Sequence, residues 1–389
     1  MGKEKLTNNE KILEPIGVRM KKYEDISKKI TNVLPYQSFI LRLDGNKFST
    51  FTKKLRKPFD NVFMLAMVNT CEDLVRKFHC CTGYTHSDEI TLIFSACCSK
   101  SDYDNGLNKS EHLFSGRTNK LLTLTASLCS VRFNFHITEI VKKLPKLDRE
   151  HFEKNSFLEH MENDPNAIFD SRLVLPLKEI PSQKIDTLKF SIEELEDIKS
   201  ELEGSTIYNN HTLADNEVSL LIGNLTRLVD DMTSTECDYE YDENLVKNEI
   251  VNHMMWRSVF DCYRNCVSTY ADWKLGKKQT FGMHSREKME QMKKMGLDMS
   301  NEPLYYKHGI YMKKILYETE VEYVHGKTGE KMRTMAKRSK YIKFMMVIRD
   351  CENGIGDFLL NKYFPEDKNV KFKYELFKNP IIFENGKLS

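Results

Sequence analysis

Two short acidic segments carry the side chains best suited to bind a divalent cation. Asp44 is followed by Gly45 at the end of an apolar run, and Asp88-Glu89 lies in the middle of an alternating segment. Mg²⁺ prefers carboxylate and carbonyl oxygens together with water and substrate phosphates, and glycine permits a close backbone approach. A two-metal site would activate an attacking hydroxyl and stabilise a leaving pyrophosphate. Taken alone, each segment is more often an ordinary turn.

Three basic residues could neutralise a triphosphate. Lys57 precedes Pro58, and Arg117 and Lys120 are three positions apart, so these two would share one face of a helix. Phosphoryl transfer depends on positioning and on neutralising developing charge. A solvated helix face would show the same spacing, so the pattern leaves both interpretations open.

The hydrophobic periodicity predicts how these residues are positioned. It indicates a strand, a helix, a hairpin, a second helix and two further strands, at 38–45, 59–79, 83–95, 117–130, 131–139 and about 168–175. This order is typical of a split βαβ, or ferredoxin-like, arrangement. Its sheet places the first strand beside the hairpin, so we expect Asp44 and Asp88 to face each other.

The remaining chain divides by composition. We predict a catalytic domain at 1–176, an acidic insertion at 177–250 and a C-terminal region at 251–389 that completes the site. The C-terminal region shows helical patterns over 253–296. Strands with a basic turn are indicated over 307–348.

Composition limits the class of protein. The 389 residues are 40% hydrophobic and 30% charged, with a net charge of +2, which is typical of a globular protein. Any RNA-binding surface must therefore be a local basic patch. Ten cysteines form no regular framework, so we expect reduced thiols and a cytoplasmic location, with the mitochondrial matrix as an alternative. Cys262 and Cys266 could bind zinc with a histidine, but no second pair completes a ligand set. No apolar run of about 18 residues predicts a membrane span.

The combined motifs are more specific than any one of them. R-L-D-G-N-K-F at 42–48, K-P-F-D at 57–60 and Y-T-H-S-D-E at 84–89 together resemble the signature of the tRNA(His) guanylyltransferase family. Weaker similarities follow in the same order: the segment around Arg117, F-D-S-R at 169–172, Trp256-Arg257 and the segment around Lys288. The resemblance covers roughly residues 17–175 and 250–315.

The resemblance implies a fold and a set of roles. The expected fold is α/β (α+β), a polymerase-palm-like antiparallel sheet of the ferredoxin type with flanking helices and a mainly helical C-terminal region. The implied metal site holds two Mg²⁺ on Asp44, the Gly45 carbonyl and Asp88, with Glu89 as a supporting catalytic residue. The implied nucleotide-binding residues are Lys57, Asp60, Ser87, Arg117, Lys120, Asn265 and Lys288. Candidate RNA contacts are Arg264, Lys337 and Arg338. The implied partners are tRNA, ATP, GTP and other nucleoside triphosphates, and further copies of the chain in a homotetramer.

The implied reaction adds nucleotides to an RNA 5′ end in the 3′-to-5′ direction after ATP-dependent activation. The family's H-I-N-N-L-Y-N motif is replaced by C-Y-R-N-C-V-S at 262–268. This departure favours template-dependent repair or editing of tRNA 5′ ends over the addition of a single G to tRNA(His), which remains the alternative. Two other classes stay open: a palm-domain nucleotide cyclase, and an inactive module that binds nucleotide or RNA.

Overall fold

The computed structural model describes most of the chain. The described residues are 15–181, 237–324, 329–351, 354–365 and 372–381, with single positions at 192, 196, 222, 226 and 326. Nearly all of the acidic run at 193–204, on which the predicted insertion rests, lies outside these residues. The chain divides into two compact units, one of residues 1–175 with 246–389 and one of residues 176–245.

One antiparallel sheet organises the larger unit. Its strands follow the order β4-β1-β3-β2-β7-β8-β9, and in the smaller unit β5 pairs with β6. The strand bounds are β1 Phe39–Gly45, β2 Thr82–His86, β3 Glu89–Phe94, β4 Phe169–Val174, β5 Lys178–Pro181, β6 Cys237–Glu240, β7 Ile310–Val324, β8 Lys331–Met345 and β9 Glu375–Leu376. The order 4-1-3-2 of the first four strands is the predicted ferredoxin-like topology, so this fold class is confirmed.

The helices flank this sheet. Their bounds are α1 Ile16–Ser27, α2 Phe48–Phe51, α3 Asn61–Phe78, α4 Lys100–Asp104, α5 Thr118–Lys142, α6 Lys146–Lys154, α7 Phe157–Asn163, α8 Glu243–Met255, α9 Cys262–Leu275, α10 Lys277–Thr280, α11 Ser285–Lys294, α12 Leu304–His308 and α13 Ile355–Leu360. A π-helical turn, Trp256–Asp261, joins α8 to α9. Single 3₁₀ turns lie at Thr52–Lys54, Leu113–Gly116, Met299–Asn301 and Ile348–Asp350.

The central strand β1 explains the continuous apolar run that predicted it. Residues Phe39 to Leu43 are buried, because helices cover both faces of the sheet at this position. On one face α3 and α5 pack against the strands, and Phe133 of α5 contacts Phe48 and Phe169. On the other face Arg42 reaches Glu24 of α1, with 2.6 Å between Nη1 and Oε1.

The predicted strand at 131–139 is wrong. This segment belongs to α5, which extends from Thr118 to Lys142. Cys129, Phe133 and Ile137 are spaced four residues apart and form the buried stripe of the helix, whereas Val131 and Phe135 are exposed. Apolar residues on both sides of the helix thus produced an alternation that resembled a strand.

None of the helices in the described part of the chain has the length and apolar character needed to cross a membrane.

Candidate active site

The strand register brings the two acidic segments together. Asp44 of β1 lies directly opposite Glu89 of β3, and the Gly45 N–H donates a hydrogen bond of 3.0 Å to the Asp88 carbonyl. Asp88 occupies the second position of the two-residue turn between β2 and β3. Its predecessor Ser87 has a φ of 49°, which such hairpin turns require. Asp44 and Asp88 therefore meet at one end of the sheet.

The electrostatics of these carboxylates suit a divalent cation. Burial, with a further contribution from the negative charge of Asp44, raises the pKa of Asp88, although the Ser87 hydroxyl hydrogen-bonds Oδ1 at 3.0 Å. In the described part of the chain no three His, Cys, Asp or Glu side chains form a complete metal-binding group. Two carboxylates and the Gly45 carbonyl nevertheless fit Mg²⁺, which usually takes its other ligands from water and phosphate.

Gly45 is also required for packing. A Cβ atom at this position would lie 2.4 Å from the Phe48 ring, far below a van der Waals contact. Phe48 is buried and belongs to an aromatic cluster beneath the site. The glycine therefore lets β1 end directly above this cluster while it keeps its carbonyl beside the carboxylates.

Glu89 is held by a buried arginine. Arg257 of the π-helical turn is 3% exposed and forms ion pairs with both Glu89 and Asp261. Arg264 pairs with the second oxygen of Asp261 at 2.6 Å. The Trp256-Arg257 segment predicts no role for Arg257, yet this side chain connects the carboxylate end of the sheet to α9.

A cavity of about 160 Å³ adjoins the carboxylates through the Ser87 turn. Lys57, Asp60, Ser87 and Asn265, all predicted to bind nucleotide, line this cavity. Its walls also contain apolar and aromatic side chains, including Phe59 and Tyr306, whose rings stack with centroids 4.2 Å apart. Apolar and aromatic walls combined with a few polar groups are typical of sites for small ligands.

Lys57, which lines this cavity, feels the charge of a second lysine, Lys277. The Lys57 ammonium donates to the Thr52 carbonyl at 2.7 Å, and burial together with the charge of Lys277 lowers its pKa. Lys277 begins α10 and was not identified from the sequence, because an exposed lysine in a basic stretch carries no distinguishing pattern. Two neighbouring cations provide a favourable potential for phosphates.

Asp60 has a structural role in addition to its place in the cavity lining. Its carboxylate caps α3 by accepting hydrogen bonds of 2.8 Å from the backbone N–H groups of Val62 and Arg56. The carboxylate therefore reaches the cavity with part of its hydrogen-bonding capacity already used.

His86 was missed by the sequence analysis. It lines the cavity and is 7% exposed, and neither ring nitrogen has a hydrogen-bond partner among the described residues. Burial and the charge of Arg257 lower its pKa to about 3, so the imidazole is neutral. Its position before Ser-Asp-Glu was the only available signal.

Arg117 and Lys120 lie elsewhere. Thr125 of α5 contacts Ser171, and Ser171 pairs with Leu43, the residue before Asp44. The residues of α5 after Thr125 continue past the end of the sheet that carries Asp44, so the residues before Thr125 lie away from that end. Arg117 precedes Thr125 by eight positions, or about 12 Å along the helix. Within one chain, the structure does not bring Arg117 and Lys120 to the carboxylates.

The other predicted contacts are also dispersed. The Lys288 ammonium lies 3.4 Å from the Ser268 hydroxyl and 3.7 Å from the Asp272 carboxylate, so it connects α11 to α9. Lys337 and Arg338 are exposed on β8. As for zinc at Cys262 and Cys266, burial raises the pKa of the Cys266 thiol to about 12, which disfavours the thiolate form that zinc binds.

Comparison with known proteins adds independent information. Residues 17–176 match the profile of the tRNAHis guanylyltransferase family. An uncharacterised protein of Acanthamoeba polyphaga mimivirus is 32% identical over 374 residues, which cover 95% of this chain and 98% of that protein. A solved bacterial tRNA(His) guanylyltransferase-like protein in complex with ATP is 20% identical, with 89% of this chain and 100% of that chain covered and a TM-score of 0.48. The tRNA(His) guanylyltransferase from Saccharomyces cerevisiae is 19% identical, with 74% and 90% covered and a TM-score of 0.41.

Proposed function

We propose that this chain, which belongs to the tRNA(His) guanylyltransferase-like family, repairs or edits tRNA by template-dependent addition of nucleotides to the 5′ end. The family is one of nucleotidyltransferases that act at the tRNA 5′ end. The observation that carries the proposal is the meeting of Asp44 and Asp88 beside a cavity lined by Lys57 and Ser87.

The proposed reaction has two group transfers. An oxygen of the RNA 5′-monophosphate attacks the α-phosphorus of ATP, and pyrophosphate leaves. The 3′-hydroxyl of an incoming nucleoside triphosphate then attacks the RNA 5′-phosphorus and loses its proton. AMP leaves, and the new 5′ end carries the triphosphate. An RNA that already has a 5′-triphosphate needs only the second transfer, with pyrophosphate as the leaving group.

Different residues of the site have different roles in this reaction. Asp44, Asp88 and the Gly45 carbonyl would hold Mg²⁺, which when bound acidifies the attacking hydroxyl and neutralises the leaving phosphate. Arg257 fixes Glu89 beside these ligands. Lys57 and Lys277 attract the phosphates, Ser87 orients them, and the aromatic wall of the cavity holds the base of the nucleotide.

The altered segment at 262–268 supports repair over dedicated G addition. Cys262 stands at the histidine position of the family motif and Cys266 at its leucine, and both are buried in the cavity wall. Asn265, which matches the motif, remains at the cavity. Because two thiols occupy this wall, the chain lacks the imidazole of the family motif, which could help to recognise one particular substrate.

The test is a 5′-extension assay with Mg²⁺ and all four nucleoside triphosphates. It compares a tRNA truncated at its 5′ end with full-length tRNA(His). We expect the truncated end to be filled only to the paired length. A single G added to tRNA(His) without regard to the opposing base would reject templated repair. Nucleotide binding without any product would indicate an inactive module, and a cyclic nucleotide made without RNA would indicate a cyclase.

Substitution of the carboxylates tests the site itself. We expect Asp44→Asn and Asp88→Asn each to lower the addition rate by at least about 10²-fold, because charge stabilisation in the transition state is lost. The exposed Asp104→Asn, far from the site, is the matched control. Mg²⁺ should also raise the melting temperature of the wild type but not of the Asp44 variant. An undiminished rate in both variants would exclude the two-carboxylate site.

A further inference from the structure

A second cavity, of about 520 Å³, lies beside the loop that follows β1. We call it the lysine cavity, and the cavity at Ser87 the nucleotide cavity. The polar residues that line the lysine cavity are mostly exposed: Asn46, Lys47, Thr50, Lys54, His160 and Asn166. Two buried phenylalanines, Phe48 and Phe157, also line it. The lysine cavity therefore combines apolar walls with polar groups that solvent and ligands can reach.

The lysine cavity and the nucleotide cavity lie on opposite sides of the carboxylates. The sheet order β4-β1-β3-β2 places β4 and β2 on either side of β1 and β3. The lysine cavity includes Ile168, directly before β4, and Asn46, directly after Gly45. The nucleotide cavity includes the end of β2 and Ser87, directly before Asp88. Each cavity thus begins one residue from a group proposed to hold Mg²⁺.

The lining of the lysine cavity is basic. Lys47, Lys54 and His160 contribute to it, whereas no Asp or Glu is among the described residues that line it. Within the described ranges neither Lys47 nor Lys54 forms a salt bridge, and both side chains are exposed. Cations that are not compensated by nearby acids create a favourable potential for an anion. The lysine cavity therefore suits a ligand with more than one negative charge.

Hydrogen bonds fix the backbone that carries the two lysines. The Asn46 N–H donates to the Ile168 carbonyl at 2.8 Å, and the Lys54 carbonyl accepts from the Asn155 amide at 2.7 Å. Lys47 has a φ of 57°, a left-handed conformation that is unfavourable for a residue with a Cβ atom. The chain turns at this residue and α2 begins after it. A ligand therefore meets both lysines on a backbone that is already ordered.

We propose that the lysine cavity binds phosphate groups of the RNA strand next to its 5′ end, with Lys47 and Lys54 as the cationic contacts. This inference rests on the proposed function for the identity of the RNA. In an in-line displacement the attacking and leaving groups lie on opposite sides of the phosphorus. Because pyrophosphate leaves towards Lys57 in the proposed first transfer, the attacking RNA phosphate approaches from the side of the lysine cavity. Arg117 and Lys120 lie away from the carboxylates within one chain and do not supply this charge.

The neutral groups of the lysine cavity fit the same ligand. The Thr50 hydroxyl and the Asn166 amide can pair with phosphate or sugar oxygens, and Ile168, 57% exposed, offers an apolar contact for a ribose. Contacts with phosphate and sugar fix the position of a nucleic acid without reading its sequence. The lysine cavity would therefore hold the 5′ strand of any tRNA, as template-dependent repair requires.

The experiment measures the affinity of the full chain for a 5′-truncated tRNA with a 5′-monophosphate and a 3′ fluorescent label, at several salt concentrations. The test variant is Lys47→Asn with Lys54→Gln, because asparagine tolerates the left-handed backbone. The control is Lys53→Gln with Lys77→Gln, two exposed lysines that do not line the lysine cavity and whose loss changes the net charge equally.

We expect the test variant to lose at least about tenfold in RNA affinity. The slope of log affinity against log salt should fall by about 1.5, as for two phosphate contacts. The control should change RNA affinity less than about twofold. The affinity of the test variant for ATP alone should also stay within about twofold of wild type, because the nucleotide cavity uses other cations. Lys47→Arg with Lys54→Arg should bind RNA nearly as well as wild type, since both charges are kept.

Equal losses of RNA affinity in the test and control variants, or no loss in either, would overturn the inference. So would a loss in the arginine variant as large as that in the test variant, because packing rather than charge would then explain it. Normal RNA binding with at least about tenfold weaker ATP binding would assign the lysine cavity to the triphosphate of a nucleotide, and also overturn the inference. In each case a wild type that extends 5′ ends leaves the proposed function intact. Failure of the wild type to bind tRNA would reject the proposed function as well.

Discussion

Lys313 is a cation buried in the interior of the larger unit. Its side chain is fully buried, and its ammonium donates to the Thr82 hydroxyl at 2.7 Å and to backbone carbonyls of Cys81 and Asn361. No carboxylate forms a salt bridge with it within the described ranges, and the thiols of Cys80 and Cys81 are the titratable groups beside it. Burial therefore lowers the pKa of Lys313 to about 7.

This lowered pKa makes stability depend on pH. Between pH 7 and 10.5 the unfolded chain binds a proton at this lysine that the folded chain does not bind, so stability rises with pH across this window and falls as pH drops towards 7. We expect wild type to gain up to about 1.4 kcal/mol per pH unit relative to Lys313→Met. Urea unfolding of both proteins at pH 7.5, 8.5 and 9.5, buffer values chosen inside this window, measures the difference. Parallel stability profiles would contradict the lowered pKa, whatever the absolute stability of the variant.

At the scale of single residues, the sequence predicts which side chains have suitable chemistry better than it predicts which side chains contact each other. Asp44 and Asp88 could be predicted to meet because strand order and a two-residue turn fix their positions. The partner of Glu89 could not be predicted, because Arg257 is 168 positions away and only the packing of the π-helical turn brings it there. Lys277 was missed for another reason, because an exposed lysine in a basic stretch carries no distinguishing pattern.

At the scale of elements, the π-helical turn Trp256–Asp261 connects α9 to the sheet. Arg257 carries this connection, since it compensates two carboxylates in a buried position. Removal of one partner from a buried ion pair leaves an uncompensated charge, which costs far more than the loss of an exposed pair. From this π-helical turn, Arg257 reaches Glu89 at the start of β3.

We expect Arg257→Ala to lower the free energy of unfolding by about 3–5 kcal/mol. Arg264→Ala is the matched control, because Arg264 pairs with the same Asp261 but its side chain is 62% exposed, and its loss should cost less than about 1 kcal/mol. The chain's two tryptophans, Trp256 and Trp273, lie in this region, so fluorescence during urea unfolding reports on it directly. Equal effects of the two substitutions would show that burial does not set the strength of these ion pairs.

Elements were predicted well where apolar residues occupy only buried positions and poorly where exposed positions are apolar as well. The apolar stripe of α3 and the alternation of β3 each identify their element correctly. The second half of α5 was misread because Val131 and Phe135 are apolar yet exposed. Periodicity cannot distinguish a strand from a helix that has apolar residues on two sides.

At the scale of the whole molecule, the sheet of the larger unit carries the carboxylates at one end and a long two-stranded ribbon at the other. Asp44 lies at the end of the central strand, whereas β7 and β8 run away from that end and pair with each other up to Val324 and Lys331. Strands with a basic turn were predicted here from the sequence, but only the register shows that Lys337, opposite Glu318, and Arg338, opposite Tyr317, lie on different faces of this ribbon. A chain with a net charge of +2 can bind a polyanion only through a local basic surface of this kind.

The smaller unit allows the last prediction. In that unit β5 and β6 pair antiparallel, and their final pair, Pro181 with Cys237, places the ends of the intervening segment side by side. Residues 182–236 can therefore be replaced by Asn-Gly, the preferred two-residue hairpin connection. The larger unit has its own sheet and core, so we expect the shortened chain to keep its fold and to extend truncated tRNA within about threefold of the wild-type rate, a change below about 1 kcal/mol. The same deletion combined with Asp44→Asn controls for contaminating activity. Normal folding with strongly weakened tRNA binding would instead assign the removed segment to the RNA-binding surface.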